Sequence, residues 1–169
     1  MQFYSLRFIL FFTVTFVLFY AIQVKYRKYI IFIASSFFIF SFDAVTFILA
    51  FVTAAVIYVL ALKTAAGKKS KSNLFLLTGI VYSVLILIVF RYSGFITDNL
   101  SIVFNLVNIN PGLKSVTQAA GLSFYLFSGL SYLIQVNRQN IRPEKNFINF
   151  FNFISFFPKF ISGPIERPA

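Results

Sequence analysis

The sequence predicts an all-α, polytopic bundle of about five transmembrane helices, and three observations lead there. Of 169 residues, 59% are hydrophobic and only 11% charged, with 26 Phe and 9 Tyr. A soluble domain of this length carries about 25% charged residues and has too small a core to hide so much apolar surface. The apolar residues fall in long runs of nearly uncharged sequence, and the basic residues bunch between those runs.

The first run, residues 8–24, has seventeen residues without a charge, at the short end of what crosses a bilayer. A cleaved signal peptide would place its basic residues before the apolar core and small residues after it. Here only Arg7 precedes, whereas Lys25, Arg27 and Lys28 follow, which favours an uncleaved span. Between Tyr29 and Leu62 the only charge is Asp43. One helix over that stretch would reach about 51 Å, well beyond the ~30 Å hydrocarbon core. Two passes, 29–42 and 44–62, turning at Ser41, Phe42 and Asp43, keep the carboxylate out of mid-bilayer.

Residues 63–73 read as a polar, basic, helix-poor loop around Gly67, carrying Lys63, Lys68, Lys69 and Lys71. A fourth span follows at 74–90 and ends at Arg91. Residues 95–109 read as an interfacial or re-entrant segment, closed by the turn signal Asn110-Pro111-Gly112. The fifth span, 121–136, leads to Arg138, Arg142 and Lys145. The last apolar stretch, 147–162, reads as a second interfacial or re-entrant helix, with Pro158 disfavouring helical geometry at Phe157. All of it is read as one integral-membrane domain, 1–169.

The charge distribution gives the orientation. With the N-terminus outside, ten of the 15 basic residues fall in cytoplasmic loops, as the positive-inside rule requires, and Arg7, Arg91 and Lys114 fall outside. An undivided helix through Asp43 would put the first two basic loops on opposite sides. The excess of 15 Lys and Arg over 4 Asp and Glu is therefore a topological signal and leaves nucleic-acid binding without motivation. The expected location is the cell membrane, multi-pass.

Composition also removes chemistry. Without Cys or His there is no thiolate nucleophile, imidazole base or Cys/His metal site, and no metal is expected. The fifth span is less apolar than the others: Gly121, Tyr125, Ser128, Tyr132 and Gln135 recur at steps of four and three on one helical stripe. Lipid disfavours such a stripe, so it faces either neighbouring helices or a polar tunnel. Arg138 and Arg142, four apart, would share a face near the headgroups if the helix continues inward, and would either anchor it in anionic lipid or hold an anionic substrate. At the end, Pro158, Gly163, Pro164 and Pro168 among aromatics leave backbone groups unpaired, which membrane depth allows only under protein cover or beside a water-filled cavity.

These last segments resemble the membrane-bound O-acyltransferase family, in particular the bacterial branch that acylates alginate or teichoic acid outside the cell. The family pattern G-I-S-F-Y-T-F-Q is similar to Gly121-Leu122-Ser123-Phe124-Tyr125-Leu126-Phe127, and S-Y-x-I-D-V-Y-R to Ser131-Tyr132-Leu133-Ile134-Gln135-Val136-Asn137-Arg138. Asn146-Phe147 matches N-F. The block S-F-F-P-Q-L-x-A-G-P-I-x-R is similar to Ser155 through Arg167, including Phe156, Phe157, Pro158, Gly163, Pro164, Ile165 and Arg167. The order and spacing hold over nearly fifty residues. Three positions depart from the pattern: Ala119 stands for a proline, Gln135 for an acidic residue and Asn137 for a tyrosine.

The resemblance implies transfer of an acyl group, acetyl or similar, to a hydroxyl of an extracytoplasmic polysaccharide or envelope polymer. It implies an acyl thioester or similar donor as co-substrate and no bound cofactor. Donor and acceptor would meet in a tunnel through the helix bundle, with Tyr125 and Gln135 lining it, Gly163 and Pro164 shaping the irregular segment, and Arg167 holding an anionic donor group or a headgroup. No catalytic residue is assigned, because the family's presumed general base is a histidine downstream of G-P-I-x-R and this sequence has no His. An alcohol attacks a thioester poorly unless a base accepts its proton. The chain is accordingly expected to be an N-terminal portion of such an enzyme, inactive alone. Its expected partners are the lipid bilayer, the C-terminal half of the same enzyme and other envelope-polymer O-acylation proteins. The alternative is a non-enzymatic multi-spanning subunit of an envelope-polymer export or modification complex. A small transporter has little support, since no intramembrane charge pair is apparent.

Overall fold

The computed structural model describes residues 6–67, 69–91 and 121–158. Among them every regular element is helical: α1 Leu6–Ala21, a 3-10 turn Val24–Tyr26, α2 Arg27–Phe40, α3 Ala44–Ala66, α4 Lys69–Arg91, α5 Leu122–Asn137 and α6 Phe147–Ser155. The interfacial segment expected at 95–109 lies outside the described residues, as do Gly163, Pro164, Ile165 and Arg167.

Helices α3 and α4 are each 23 residues, long and apolar enough to cross a bilayer; α1, at 16 residues, is apolar but shorter. Their outer surfaces suit lipid. On α4, Leu74, Leu77, Val81, Val84, Leu85, Ile88 and Val89 are exposed, and α1 exposes Ile9, Leu10, Val14, Phe16, Val17 and Leu18. Patches of this extent do not persist in water on a monomeric soluble protein. The chain is a membrane protein.

The 34-residue apolar run is two helices. α2 ends at Phe40 and α3 begins at Ala44, with Asp43 as its N-cap: the carboxylate accepts the N–H of Val45 at 2.7 Å, the N–H of Thr46 at 3.2 Å and the Thr46 hydroxyl at 2.8 Å. These donors, the Thr46 hydroxyl foremost, hold the Asp43 carboxyl below the ordinary aspartate range.

The basic loop expected at 63–73 is a correction. α3 continues to Ala66 and α4 starts at Lys69, so Lys63, Lys69 and Lys71 sit on helices and the break shrinks to the residues around Gly67. Long lysine stems let a helix run past the hydrocarbon edge with the ammonium in water, so basic residues there need no loop. The helix expected over 147–162 is also shorter, closing at Ser155 before Phe156 leaves helical geometry and the chain turns at Phe157 and Pro158.

The core forms where α3 meets α4 and α5, with α6 against α2 and α3 and α1 against α2. Small residues make the approach possible, as membrane helices require when no hydrophobic force drives them together. Ala50, Ala54, Ile57 and Ala61 form one buried face of α3. Gly129 of α5 sits over it: a β-carbon there would lie 3.4 Å from Ile57 Cγ1 and 3.5 Å from Ile154 Cδ1. At Gly79 of α4 a β-carbon would overlap the buried Leu133 side chain of α5. A second cluster joins α1 to α2, where Phe157 meets Phe11 edge-on at 5.2 Å and packs on Phe38 at 5.8 Å.

The packing at Gly129 and the cap at Asp43 can each be tested by substitution. Gly129→Ala should leave thermal unfolding in detergent nearly unchanged, because its methyl meets only ordinary contacts, whereas Gly129→Leu should destabilise by about 1–3 kcal/mol by prising α3 from α5. At neutral pH, Asp43→Ala should cost about 1 kcal/mol of cap stability. Since the folded carboxyl titrates below the unfolded one, that stabilisation is present above the unfolded value of ~3.9 and is lost as pH falls through the folded value. Acid unfolding curves of Asp43→Asn should lack this contribution.

Candidate functional site: the α5–α6 corner

The motif residues are carried by α5, α6 and the connection between them. Gly121 opens α5 with φ 67°, a left-handed conformation that favours glycine. Along α5, Tyr125, Ser128, Tyr132, Leu133 and Val136 are buried against neighbouring helices. Gln135 stands about 80° from Tyr125 but only about 20° from Ser128 around the helix, at the edge of the same stripe, and it is only partly buried. It lines a groove of about 530 Å³ with Phe127, Leu130, Ser131, Ile134, Arg138 and Asn140. The structure therefore separates the two residues expected to line one tunnel: Tyr125 is fully enclosed in the core, and Gln135 faces the groove with Ser131 and Arg138.

A relay of hydrogen bonds holds the corner. The Tyr132 hydroxyl accepts the Glu144 backbone N–H at 2.6 Å, and its ring packs on Phe150 at 4.8 Å. The Glu144 carboxylate accepts the N–H of Asn146 at 2.8 Å, and the Asn146 side chain caps α6 by accepting from Ile148 at 2.9 Å and Asn149 at 3.4 Å. Tyr58 of α3 donates to the Lys145 carbonyl at 2.6 Å. The helix end is reversed by Gln139 at φ 60°, a left-handed position that a non-glycine residue seldom takes, with Asn140 donating back to the Gln135 carbonyl and its side chain to Gln135 Oε1 at 3.0 Å.

Two further bonds reach other helices. Asn137 Nδ2 donates to Ser72 Oγ at 2.9 Å and Asn73 Oδ1 at 3.2 Å at the start of α4, and Asn152 Nδ2 donates to the Lys28 carbonyl at the start of α2. The basic ends of α2, α3, α4 and α5 thus gather at one end of the bundle, and Asp43 and Arg91 lie at the other. Arg27 stacks on Phe19 at 5.0 Å and Tyr20 at 5.6 Å at the same basic end.

Comparison with known proteins gives the chain relatives. Over 154 residues, 89% of its length, the chain is 33% identical to the probable alginate O-acetylase AlgI of Pseudomonas syringae pv. tomato and 32% identical to that of Pseudomonas aeruginosa. Over 105 residues it is 35% identical to the probable alginate O-acetylase AlgI of Pseudomonas putida. The chain is a relative of the membrane-bound O-acyltransferases. It spans about 30% of the length of the first of these relatives and 29% and 22% of the other two. No family model matches the chain, and no solved structure matches it.

Sequence reasoning about this membrane-bound O-acyltransferase relative missed the parts played by Glu144, Asn152 and Ser72. Single polar residues carry no periodic signal. The spacing of Asn146 before Phe147 did contain a cap signature. Asn137, noted only as a departure from the family tyrosine, proves to be an interhelical donor. Tyr132→Phe should keep the ring against Phe150 yet leave the Glu144 N–H without its acceptor, lowering stability in detergent by about 1–3 kcal/mol. Tyr132→Leu, which also loses the ring contact, should cost more.

Proposed function

We propose that this chain forms the first part of an envelope-polymer O-acyltransferase. In this reading it supplies five membrane passes, α1 to α5, with the N-terminus outside and the basic end in the cytoplasm. The observation that carries it is the identity of 31–35% to several alginate O-acetylases, extending over 89% of the chain for two of them and including the α5–α6 corner that the structure shows to be internally braced. The donor, an acyl thioester or similar, approaches from the basic end, where positive groups attract its anionic portion. The acceptor hydroxyl, on a polysaccharide or related polymer, comes from the opposite face. The α5 groove bearing Gln135, Ser131 and Arg138 is where further helices of the enzyme dock; Gly163, Pro164 and Arg167, outside the described residues, keep in this reading the roles that the family motif implies.

The proton chemistry belongs elsewhere in the enzyme. Activating a hydroxyl of pKa near 16 requires a base that accepts the proton as the ester bond forms, and a sequence without His offers no imidazole for it. The role of this chain is to position, through α5 and the braced corner, the helices that enclose the donor.

The test is to replace the matched segment of the Pseudomonas aeruginosa alginate O-acetylase with this chain and measure acetyl groups on secreted alginate. Retained acetylation supports the assignment. A stably inserted chimera that leaves alginate unacetylated contradicts it. The purified 169-residue chain alone should transfer no acyl group to a hydroxyl acceptor. For the orientation, a cysteine at Ser70→Cys should react with an impermeant thiol reagent only after the membrane is opened; labelling of intact cells would reverse it.

A further inference from the structure

At the basic end, α3, α4 and the α5 corner enclose a cavity of about 710 Å³, within the range of small-molecule sites. Its lining includes Thr64, Lys69, Ser72, Asn137, Arg138 and Arg142. Among the described residues the carboxylates are those of Asp43 and Glu144. The first caps α3 at the far end of that helix, about 34 Å away by helix rise, and the second accepts from Asn146. None of Lys69, Arg138 and Arg142 makes an ion pair within the described residues.

Two further features mark this cavity as a site for an anion. Lys69 and Lys71 occupy the first turn of α4, where the helix dipole already places partial positive charge and where acidic side chains are favoured. Thr64 lines the cavity, is 3% exposed and has no hydrogen-bond partner for Oγ1 among the described residues. Other helix hydroxyls here, those of Thr13, Thr15, Thr78, Ser83 and Ser155, donate to the carbonyl four residues back. A buried hydroxyl without that bond carries a desolvation cost that a ligand acceptor would relieve. Three cations, a helix N-terminus and an unused hydroxyl call for a multivalent, acceptor-rich anion.

We propose that this cavity binds a phosphate group, with Arg138 and Arg142 pairing its oxygens, Lys69 and the first turn of α4 neutralising it, and Thr64 donating to it. The assignment is independent of acyl transfer. The phosphate is carried either by an anionic phospholipid headgroup at the membrane surface or by a soluble phosphate, and the experiment separates the two.

The full chain, purified in detergent and stripped of lipid, is titrated with phosphatidylglycerol in mixed micelles and, separately, with inorganic phosphate. Thermal unfolding and mass spectrometry of intact complexes report binding. At least one probe should bind and raise the unfolding temperature. Binding should weaken about tenfold or more in Arg138→Gln/Arg142→Gln, the loss of two charge-assisted contacts. It should weaken about threefold in Thr64→Val, which preserves charge and shape. Lys25→Gln/Lys28→Gln removes two charges from the same end of the bundle but outside the cavity, and should change binding less than twofold. Phosphatidylglycerol binding that inorganic phosphate does not displace identifies the lipid headgroup; displacement identifies a site for phosphate itself. Absence of binding by both probes overturns the proposal, as does an equal loss in the Lys25/Lys28 and Arg138/Arg142 variants. Circular dichroism confirming unchanged helicity in each variant ties a loss of binding to the cavity.

Discussion

The close approach of α3 to α5 at Gly129, and of α4 to α5 at Gly79, is the constraint on which the rest of the structure depends. In a bilayer the helices gain nothing by hiding apolar surface from each other, so association rests on the contacts that short interaxial distances permit. The alanine face of α3 and two glycines supply that distance, and Ile57, Leu133 and Ile154 fill what remains. Because α5 is held this closely, its C-terminal end falls beside the start of α4, and the polar residues there meet.

From that placement the braced corner follows. Asn137 reaches Ser72 and Asn73 only because α5 lies along α4, and Tyr58 reaches the Lys145 carbonyl only because α6 lies against α3. The result concentrates basic side chains from four helices at one end, while the carboxylate of Asp43 stays at the other. A charge pattern spread along the sequence becomes a surface with a sign. The same gathering of basic side chains lines the cavity between α3, α4 and α5.

Much of the fold was legible in the sequence, for identifiable reasons. Apolar run length and the single carboxylate at Asp43 marked the α2–α3 break, since helix rise and bilayer thickness leave few alternatives. Helix ends were less legible, because lysines read as loop residues when they stand at a membrane boundary; α3 and α4 each extend several residues into the stretch read as a loop. The stripe on α5 is legible as a polar seam, but burial along it is not uniform. Tyr125, Ser128 and Tyr132 are buried, and Gln135, at the edge of the same stripe, is partly buried and lines the open groove. The relay through Tyr132, Glu144 and Asn146 depends on backbone positions in an irregular connection, which no periodicity encodes. The family motifs marked this corner as special without saying what holds it.

The central claim is that the starts of α4 and the end of α5 meet to form one basic end of a packed bundle. The sequence has no cysteine, so paired substitutions report proximity without background. With Ser72→Cys and Asn137→Cys in membranes, mild oxidation should form an intramolecular disulfide. The pair Asp43→Cys and Asn137→Cys, at opposite ends, should remain reduced. Failure of the first pair to cross-link, or equal cross-linking of both, would contradict the account.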